Sequence, residues 1–290
     1  MHKRTKSKIE KPVALKDLAT EQSNYHSRNL DKLSVRALLN TINREDQTVP
    51  LTVRKSLREI EATVKAVAPR LKKGGRLFYI GAGTSGRLGV TDASEMPPTY
   101  GVPATLVQGI IAGGYEALTT SREGAEDDAD AGVQDIATRE VGRKDAVIGL
   151  SASGRAKYVQ TALREAARRG AFTACITCNK NSALIDCADT AIVVETGAEV
   201  VTGSTRMKAG TAQKLVLNMI STALMVQLGR VKGNRMVHLQ IKCEKLLERA
   251  RNLVIDATGA SAEDAVAALE KNGGNSAKAI AALTTRKKSH

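Results

Sequence analysis

Two short runs of small and hydroxyl residues, Gly83-Thr84-Ser85-Gly86-Arg87 and Ser151-Ala152-Ser153-Gly154-Arg155, each follow an apolar strand-like stretch and precede a helical pattern. Small residues let backbone N–H groups approach an anion, and the start of the following helix adds a favourable dipole. The hydroxyls of Thr84, Ser85, Ser151 and Ser153 are placed to donate to phosphate oxygens. One such loop alone reads as an ordinary cap and turn. Two at equivalent points of one sheet point to a phosphate-bearing ligand, because ligands of open α/β sheets bind beyond the carboxyl ends of the strands. Neither loop is a Walker A. The run 81–86, GAGTSG, satisfies the G-x-G-x-x-G spacing, but a dinucleotide site wants an acid about 20 residues on, at the end of the next strand. Residues 101–109 end in Val107-Gln108-Gly109, so that acid is missing.

Carboxylates come next. Asp92-Ala93-Ser94-Glu95 lies on or just after the helix that follows the first loop, and Glu123-Gly124-Ala125-Glu126-Asp127-Asp128 is an acidic cluster in a connecting segment. Surface acid clusters are usually just solvated. Here Met96-Pro97-Pro98 stops the helix behind Glu95, and the expectation is that this fixes a turn near the phosphate loop. A carboxyl in a closed, partly dry sugar site has its proton affinity raised, which suits a general acid. Glu95 and Glu126 would then divide acid and base roles. A further run, GAEVVTGSTRMKAGTAQK at 197–214, precedes a long helix, with Arg206 and Lys208 placed to neutralise an anion or to cap other structure.

The elements that position these residues follow from apolar spacing. Leu38, Leu39 and Ile42, then Ile60, Val64, Val67 and Leu71, predict two helices between Ser34 and Leu71, broken near Gln47 to Pro50. Gly74-Gly75 ends the second. Short apolar runs at 76–80, 104–107, 146–150, 172–177 and 190–194 read as strands alternating with helices, which implies a parallel sheet covered on both faces and an α/β fold. Long helices are expected over 207–228 and 239–256, and two short ones over 262–269 and 277–283 around Asn272-Gly273-Gly274-Asn275. The chain thus divides into a disordered basic start (1–17), an α/β domain with N-terminal helices (18–257) and a small helical tail (258–290), too short to stand without packing on its neighbour.

At 290 residues the chain buries a substantial core without staples. It is 42% hydrophobic but only 2% aromatic, so the core is aliphatic. The net charge of +14 is concentrated: residues 1–20 carry six Lys/Arg against two acids, 230–251 seven against two, and 286–288 three against none. Basic segments almost free of aromatics offer no stacking platform, which argues against nucleic acid as a partner. Cys175 and Cys178 form a C-x-x-C, but in a strand positions three apart face opposite ways, which argues against a metal or redox pair. With Cys187 and Cys243 they read as buried reduced thiols of an intracellular protein. No secretory leader or long apolar run is present, so a cytoplasmic protein without a membrane span is expected.

The run at 197–214 resembles a signature shared by N-acetylmuramic acid 6-phosphate etherases and glucokinase regulatory proteins. YIGAGTSGRLGVTDASEMPPTYGV, IAGGYEALTTSREGAEDD and NTINREDQTVP are likewise similar to the etherases, and the resemblance covers about residues 18–257. It implies a sugar isomerase (SIS) domain, a five-stranded parallel sheet flanked by helices, working as a homodimer. The implied reaction cleaves the lactyl ether of N-acetylmuramic acid 6-phosphate by elimination across C2 and C3 and addition of water, without metal or other cofactor. On that resemblance Glu95 is the proton donor and Glu126 the other catalytic carboxylate. Thr84, Ser85, Gly86, Ser151, Ser153 and Glu123 contact the substrate, with the phosphate on the four hydroxyls. The tail resembles a small ubiquitin-associated-type module. Departures lie at Val237-His238 and Lys242-Cys243-Glu244-Lys245-Leu246, where the family carries Val-Asp and Thr-Asn-x-Lys-Leu. Two other readings stand beside this one: a sugar-phosphate sensor that binds without turnover, and an aldose–ketose phosphate isomerase, which fits the fold but not the signature.

Overall fold

The structure, a computed structural model, describes residues 14–237 and 244–287. The whole of the 238–243 departure, Cys243 included, and most of the basic start fall outside the described residues; within that start, Leu15–Asp17 forms a 3-10 turn.

Three helices open the fold where two were expected: α1 (Val35–Asp46), α2 (Thr48–Arg54) and α3 (Leu57–Lys72). Pro50 occupies the first turn of α2, where its missing N–H costs nothing, so it starts a helix as well as marking a break. The second break is at Ser56, which leaves helical geometry and donates its hydroxyl to Val193 O at 2.7 Å.

The chain then alternates: β1 (Leu77–Gly81), α4 (Gly83–Ser94), α5 (Met96–Tyr100), β2 (Val107–Ile111), α6 (Ala129–Thr138), β3 (Ala146–Leu150), α7 (Lys157–Arg168), β4 (Phe172–Thr177), β5 (Thr190–Val193) and α8 (Lys208–Gln227). The five strands pair in the order β2-β1-β3-β4-β5, all parallel, with Leu77 opposite both Val107 and Ala146. β2 begins at Val107, three residues later than the sequence suggested. Pro103 starts a turn that Leu106 N closes on Pro103 O, so residues 103–106 are spent before pairing begins. Its true end, Ile111-Ala112, also lacks an acid.

Alternate strand residues feed two cores, as the pleat requires. Leu77, Tyr79, Ile148 and Ile176 pack under α3, α4 and α8, while Phe78, Ile80, Val147 and Cys175 pack under α7 and its neighbour α6. Because β1 connects one way to β2 and has β3 on its other side, the topology reverses between the carboxyl ends of β1 and β3. Among the described residues no helix is long and apolar enough to cross a membrane.

Beyond a small hairpin of β6 (Val231–Lys232) and β7 (Arg235–Met236) come α9 (Glu244–Thr258), α10 (Ala262–Lys271) and α11 (Ser276–Lys287). Their shared core of Ala250, Val254, Leu269 and Ile280 is separate from the sheet's two cores. α9, which the sequence placed with the main domain, packs with the tail helices.

A buried ion pair joins the start of the fold to its end. Lys208 Nζ, at the head of α8, lies 2.7 Å from Glu45 Oε2 of α1, and both side chains are nearly inaccessible. Asn24 donates to Glu45 at 2.9 Å and to Ala198 O at 3.2 Å, while His26 Nδ1 stands 2.9 Å from the other Glu45 oxygen. Burial pulls the Glu45 carboxyl up, but the bonds from Lys208, His26 and Asn24 outweigh it and hold the group at about 2. A depressed carboxylate contributes stability above its unfolded pKa and loses it as pH falls toward the folded value. Glu45→Gln is therefore expected to lower stability at neutral pH by about 3 kcal/mol, because it strands the Lys208 charge, and to flatten the loss between about pH 5 and about pH 2. Urea unfolding across that range measures both effects, and adding Lys208→Met should recover part of the loss.

Candidate active site

Helices α4, α7 and α8 start at the carboxyl edge of the sheet, and their first turns differ in what caps them. At α4 the preceding residue is Ala82, with no side-chain cap, so the first N–H groups from Gly83 onward are left for a ligand. α7 follows Ala156 and is likewise uncapped by a side chain. The head of α8 is closed: Glu199, fully buried, accepts from Lys208 N and Ala209 N, both at 2.9 Å. Burial pushes the Glu199 carboxyl up, against these two backbone donors and the Lys208 charge. An anion from solvent therefore has α4 and α7 to choose from, on either side of the reversal between β1 and β3.

Close packing fixes the loops. A Cβ on Gly86 would sit 2.6 Å from Ile111 Cγ1 and 2.7 Å from Gly81 O, so only glycine lets α4 start this near the sheet. Gly154 has φ +74, and a Cβ there would lie 1.6 Å from Ser182 Oγ. In the second loop Ser151 Oγ accepts from Gly154 N at 3.0 Å and Ser153 Oγ from Arg155 N at 3.3 Å. Both serines spend lone pairs on the loop and keep their protons for an acceptor such as phosphate. Ser85 differs: it is buried and donates to Gln213 Oε1 at 2.9 Å, while Gln213 Nε2, also buried, has no partner. Turning that amide over makes Nε2 the donor and releases the Ser85 proton toward a ligand. Thr84 is half-buried against the head of α8, its methyl group beside Gly210.

The acidic cluster overhangs the same edge. Ala112 N donates to Gly81 O at 2.9 Å, which keeps the end of β2 level with the first loop, and Arg87 Nε reaches Leu118 O at 3.0 Å. Asp128 caps α6 through Ala131 N. Glu123 and Glu126 are exposed and make no hydrogen bond or ion pair among the described residues.

Glu95 is elsewhere. The expected turn at Met96-Pro97-Pro98 forms, but not near the phosphate loop: α4 runs without interruption from Gly83 to Ser94 and carries Glu95 to the opposite edge of the sheet. Ten residues separate Ser85 from Glu95, or about 15 Å at the rise of an α-helix. The prolines begin α5 there, as N-terminal prolines do. Glu95 borders a pocket of about 330 Å³ with Asp92, Lys214 and Asn218. Asp92 is buried and accepts from Asn218 at 2.7 Å and Ser221 at 3.1 Å; burial pushes its carboxyl up against these bonds. One chain thus brings together Thr84, Ser85, Gly86, Ser151, Ser153, Glu123 and Glu126 on one edge and leaves Glu95 apart.

Several positioning residues were not singled out from sequence. Gln213 and Glu199 sit inside the 197–214 run, so that run held the signal. Asn179, which ties Ala152 O at 3.0 Å to Thr20 Oγ1 at 3.2 Å, follows the end of β4, where ligand-side residues are expected. Of the two cations noted there, Lys208 is internal and Arg206 exposed. Cys175, Cys178 and Cys187 are free and buried, the first two on different faces. Among the described residues no cluster of His, Cys, Asp and Glu could hold a metal. Gly154→Ala is expected to cost roughly 2 kcal/mol in urea unfolding through overpacking and a left-handed backbone. It should also weaken glucose 6-phosphate binding about tenfold, the equivalent of 1.4 kcal/mol, measured calorimetrically.

Residues 59–167 match the N-terminal SIS domain of glucokinase regulatory protein, and residues 130–223 match the SIS domain. An E. coli CFT073 protein, solved as a complex with a ligand, shares the fold with a TM-score of 0.50 at 16% identity, over 70% of this chain and 97% of that one. Sequence relatives lie nearer. The N-acetylmuramic acid 6-phosphate etherase of Symbiobacterium thermophilum is 52% identical over 93% of this chain and 90% of its own length. That of Clostridium beijerinckii is 52% identical over 89% and 84%. With half its residues shared over nearly its whole length, and with its two glycine- and hydroxyl-rich loops seated at the reversal point of a five-stranded SIS sheet, the chain belongs to the N-acetylmuramic acid 6-phosphate etherase family.

Proposed function

We infer that the protein cleaves the D-lactyl ether of N-acetylmuramic acid 6-phosphate, giving N-acetylglucosamine 6-phosphate and D-lactate, and so serves the recycling of cell-wall amino sugars. The observation that carries this is identity of about half the residues, over most of both chains, with proteins bearing that name. The phosphate sits on the open first turns of α4 and α7, where N–H groups and the Ser151 and Ser153 hydroxyls converge without a competing side-chain cap. Thr84, Ser85 and Gly86 line the α4 side. Glu123 and Glu126, free of internal partners, overhang the sugar.

In the reaction a carboxylate removes the C2 proton, and an acid delivers a proton to the ether oxygen at C3, so that the C3–O bond breaks and D-lactate leaves. Water then adds at C3 of the unsaturated aldehyde: the group that gave its proton to lactate takes one back from the water, and the group that took the C2 proton returns it to C2. Glu95 is assigned as the proton donor and Glu126 as the second carboxylate. The protein is assigned to the cytoplasm and to a homodimer, and α9 to α11 to a small helical unit set apart from the SIS domain.

The test is D-lactate release from N-acetylmuramic acid 6-phosphate by the purified protein. Wild type should turn over, while Glu95→Gln and Glu126→Gln, both isosteric, should fold normally and lose about 10²- to 10⁴-fold in kcat. A folded wild-type protein that binds the sugar phosphate but releases no lactate would identify a sensor instead, a reading that the match to glucokinase regulatory protein keeps in view.

A further inference from the structure

We propose that Gln213 is the positioning residue of the phosphate site: its buried amide holds the Ser85 proton in the free protein and, by turning over, hands that proton to the phosphate. This rests on the etherase reading above, in which the phosphate is held at the head of α4.

The contact between the two side chains is imposed by the way α8 packs on α4. A Cβ on Gly210 would lie 3.6 Å from Thr84 Cγ2 and 3.9 Å from Leu88 Cδ1, so the heads of the two helices meet there. One turn further along the same face of α8, Gln213 meets Ser85. The head of α8 is held in place, because Glu199 accepts from Lys208 N and Ala209 N while Lys208 Nζ is paired with Glu45. What remains free to move is the terminal torsion of the Gln213 side chain, whose wells are broad and roughly two-fold.

The bond as it stands leaves a donor unused. Ser85 gives its one proton to Gln213 Oε1 at 2.9 Å, while Gln213 Nε2 has no acceptor. Gln213 is only 1% exposed, so that amide is not completed by bulk solvent, and an unpaired buried donor is costly. A sugar phosphate needs the opposite arrangement. Its oxygens are acceptors, and at Ser85 they meet only lone pairs as long as the proton faces Gln213. With the amide turned over, Nε2 donates to Ser85 Oγ and the Ser85 hydroxyl donates to a phosphate oxygen. Without an anion the turned amide would leave the Ser85 proton with no acceptor, so the turn waits for the ligand.

Gln213→Glu is the discriminating variant, because a carboxylate has nearly the same shape and accepts whichever way it is turned. It keeps the Ser85 proton, so glucose 6-phosphate binding, measured calorimetrically, should weaken about tenfold. KM for N-acetylmuramic acid 6-phosphate should rise to match, with kcat within about threefold of wild type. On a Ser85→Ala background the same change should have almost no further effect. An equal loss there makes the added charge or a disturbed fold responsible and overturns the proposal. Gln213→Met neither holds nor returns the proton and should bind within about threefold of wild type; a loss as large as that of Gln213→Glu likewise overturns it. A measurement on wild type is independent of how the variants fold. In protein isotope-labelled at the glutamine side-chain nitrogens, one NH2 resonance pair, absent from Gln213→Met, should move downfield as glucose 6-phosphate saturates the site. A pair that stays in place overturns the proposal. Failure of the underlying reading shows separately: wild type itself then binds no glucose 6-phosphate or releases no lactate, whatever stands at position 213.

Discussion

The contact between Lys208 and Glu45 holds the active edge of this protein in one piece. A lysine ammonium is costly to bury, and here it is offset by a carboxylate at 2.7 Å that is itself held by Asn24 and His26. The partners come from three distant parts of the sequence: the N-terminal segment, α1 and the head of α8. Closing this contact fixes the start of α8, which in turn places Gln213 against Ser85 and Gly210 against Thr84. Glu199, filling the α8 terminus from inside, removes a competing anion site and leaves α4 and α7 open.

The second constraint is the height of the sheet. In a parallel α/β fold, helices that follow strands run back from the carboxyl edge to the amino edge, so a residue at the end of such a helix is separated from the loop at its start by the full layer. Glu95 obeys this rule. Its distance from the loop at the start of α4 is therefore a property of the topology.

The two glycine- and hydroxyl-rich turns were legible as strand-to-helix turns because their signal is local. Glycines that admit a close approach, hydroxyls and a helix start all lie within five residues of one another, and the structure places Gly83 to Arg87 and Ser151 to Arg155 where the pattern put them. Four of the five strands were legible for the same reason. β2 was displaced because Ala104 to Leu106 are apolar enough to read as a strand, whereas Pro103 turns them into a lead-in. The second break between α2 and α3 had no glycine or proline to announce it; Ser56 ends the helix by bonding to Val193, a partner 137 residues away.

The sequence by itself determined the fold class, the positions of the two glycine- and hydroxyl-rich loops and the family. Those follow from residue types and from periodicity, which act over a few neighbours. Only the tertiary structure decided that Lys208 is an internal cation rather than a ligand, that Ser85 answers to Gln213, that α9 packs with the tail, and that Glu95 and Glu126 stand on opposite edges. Each of these depends on which distant segments share a layer and which way a helix runs through it, and spacing along the chain carries no such distances.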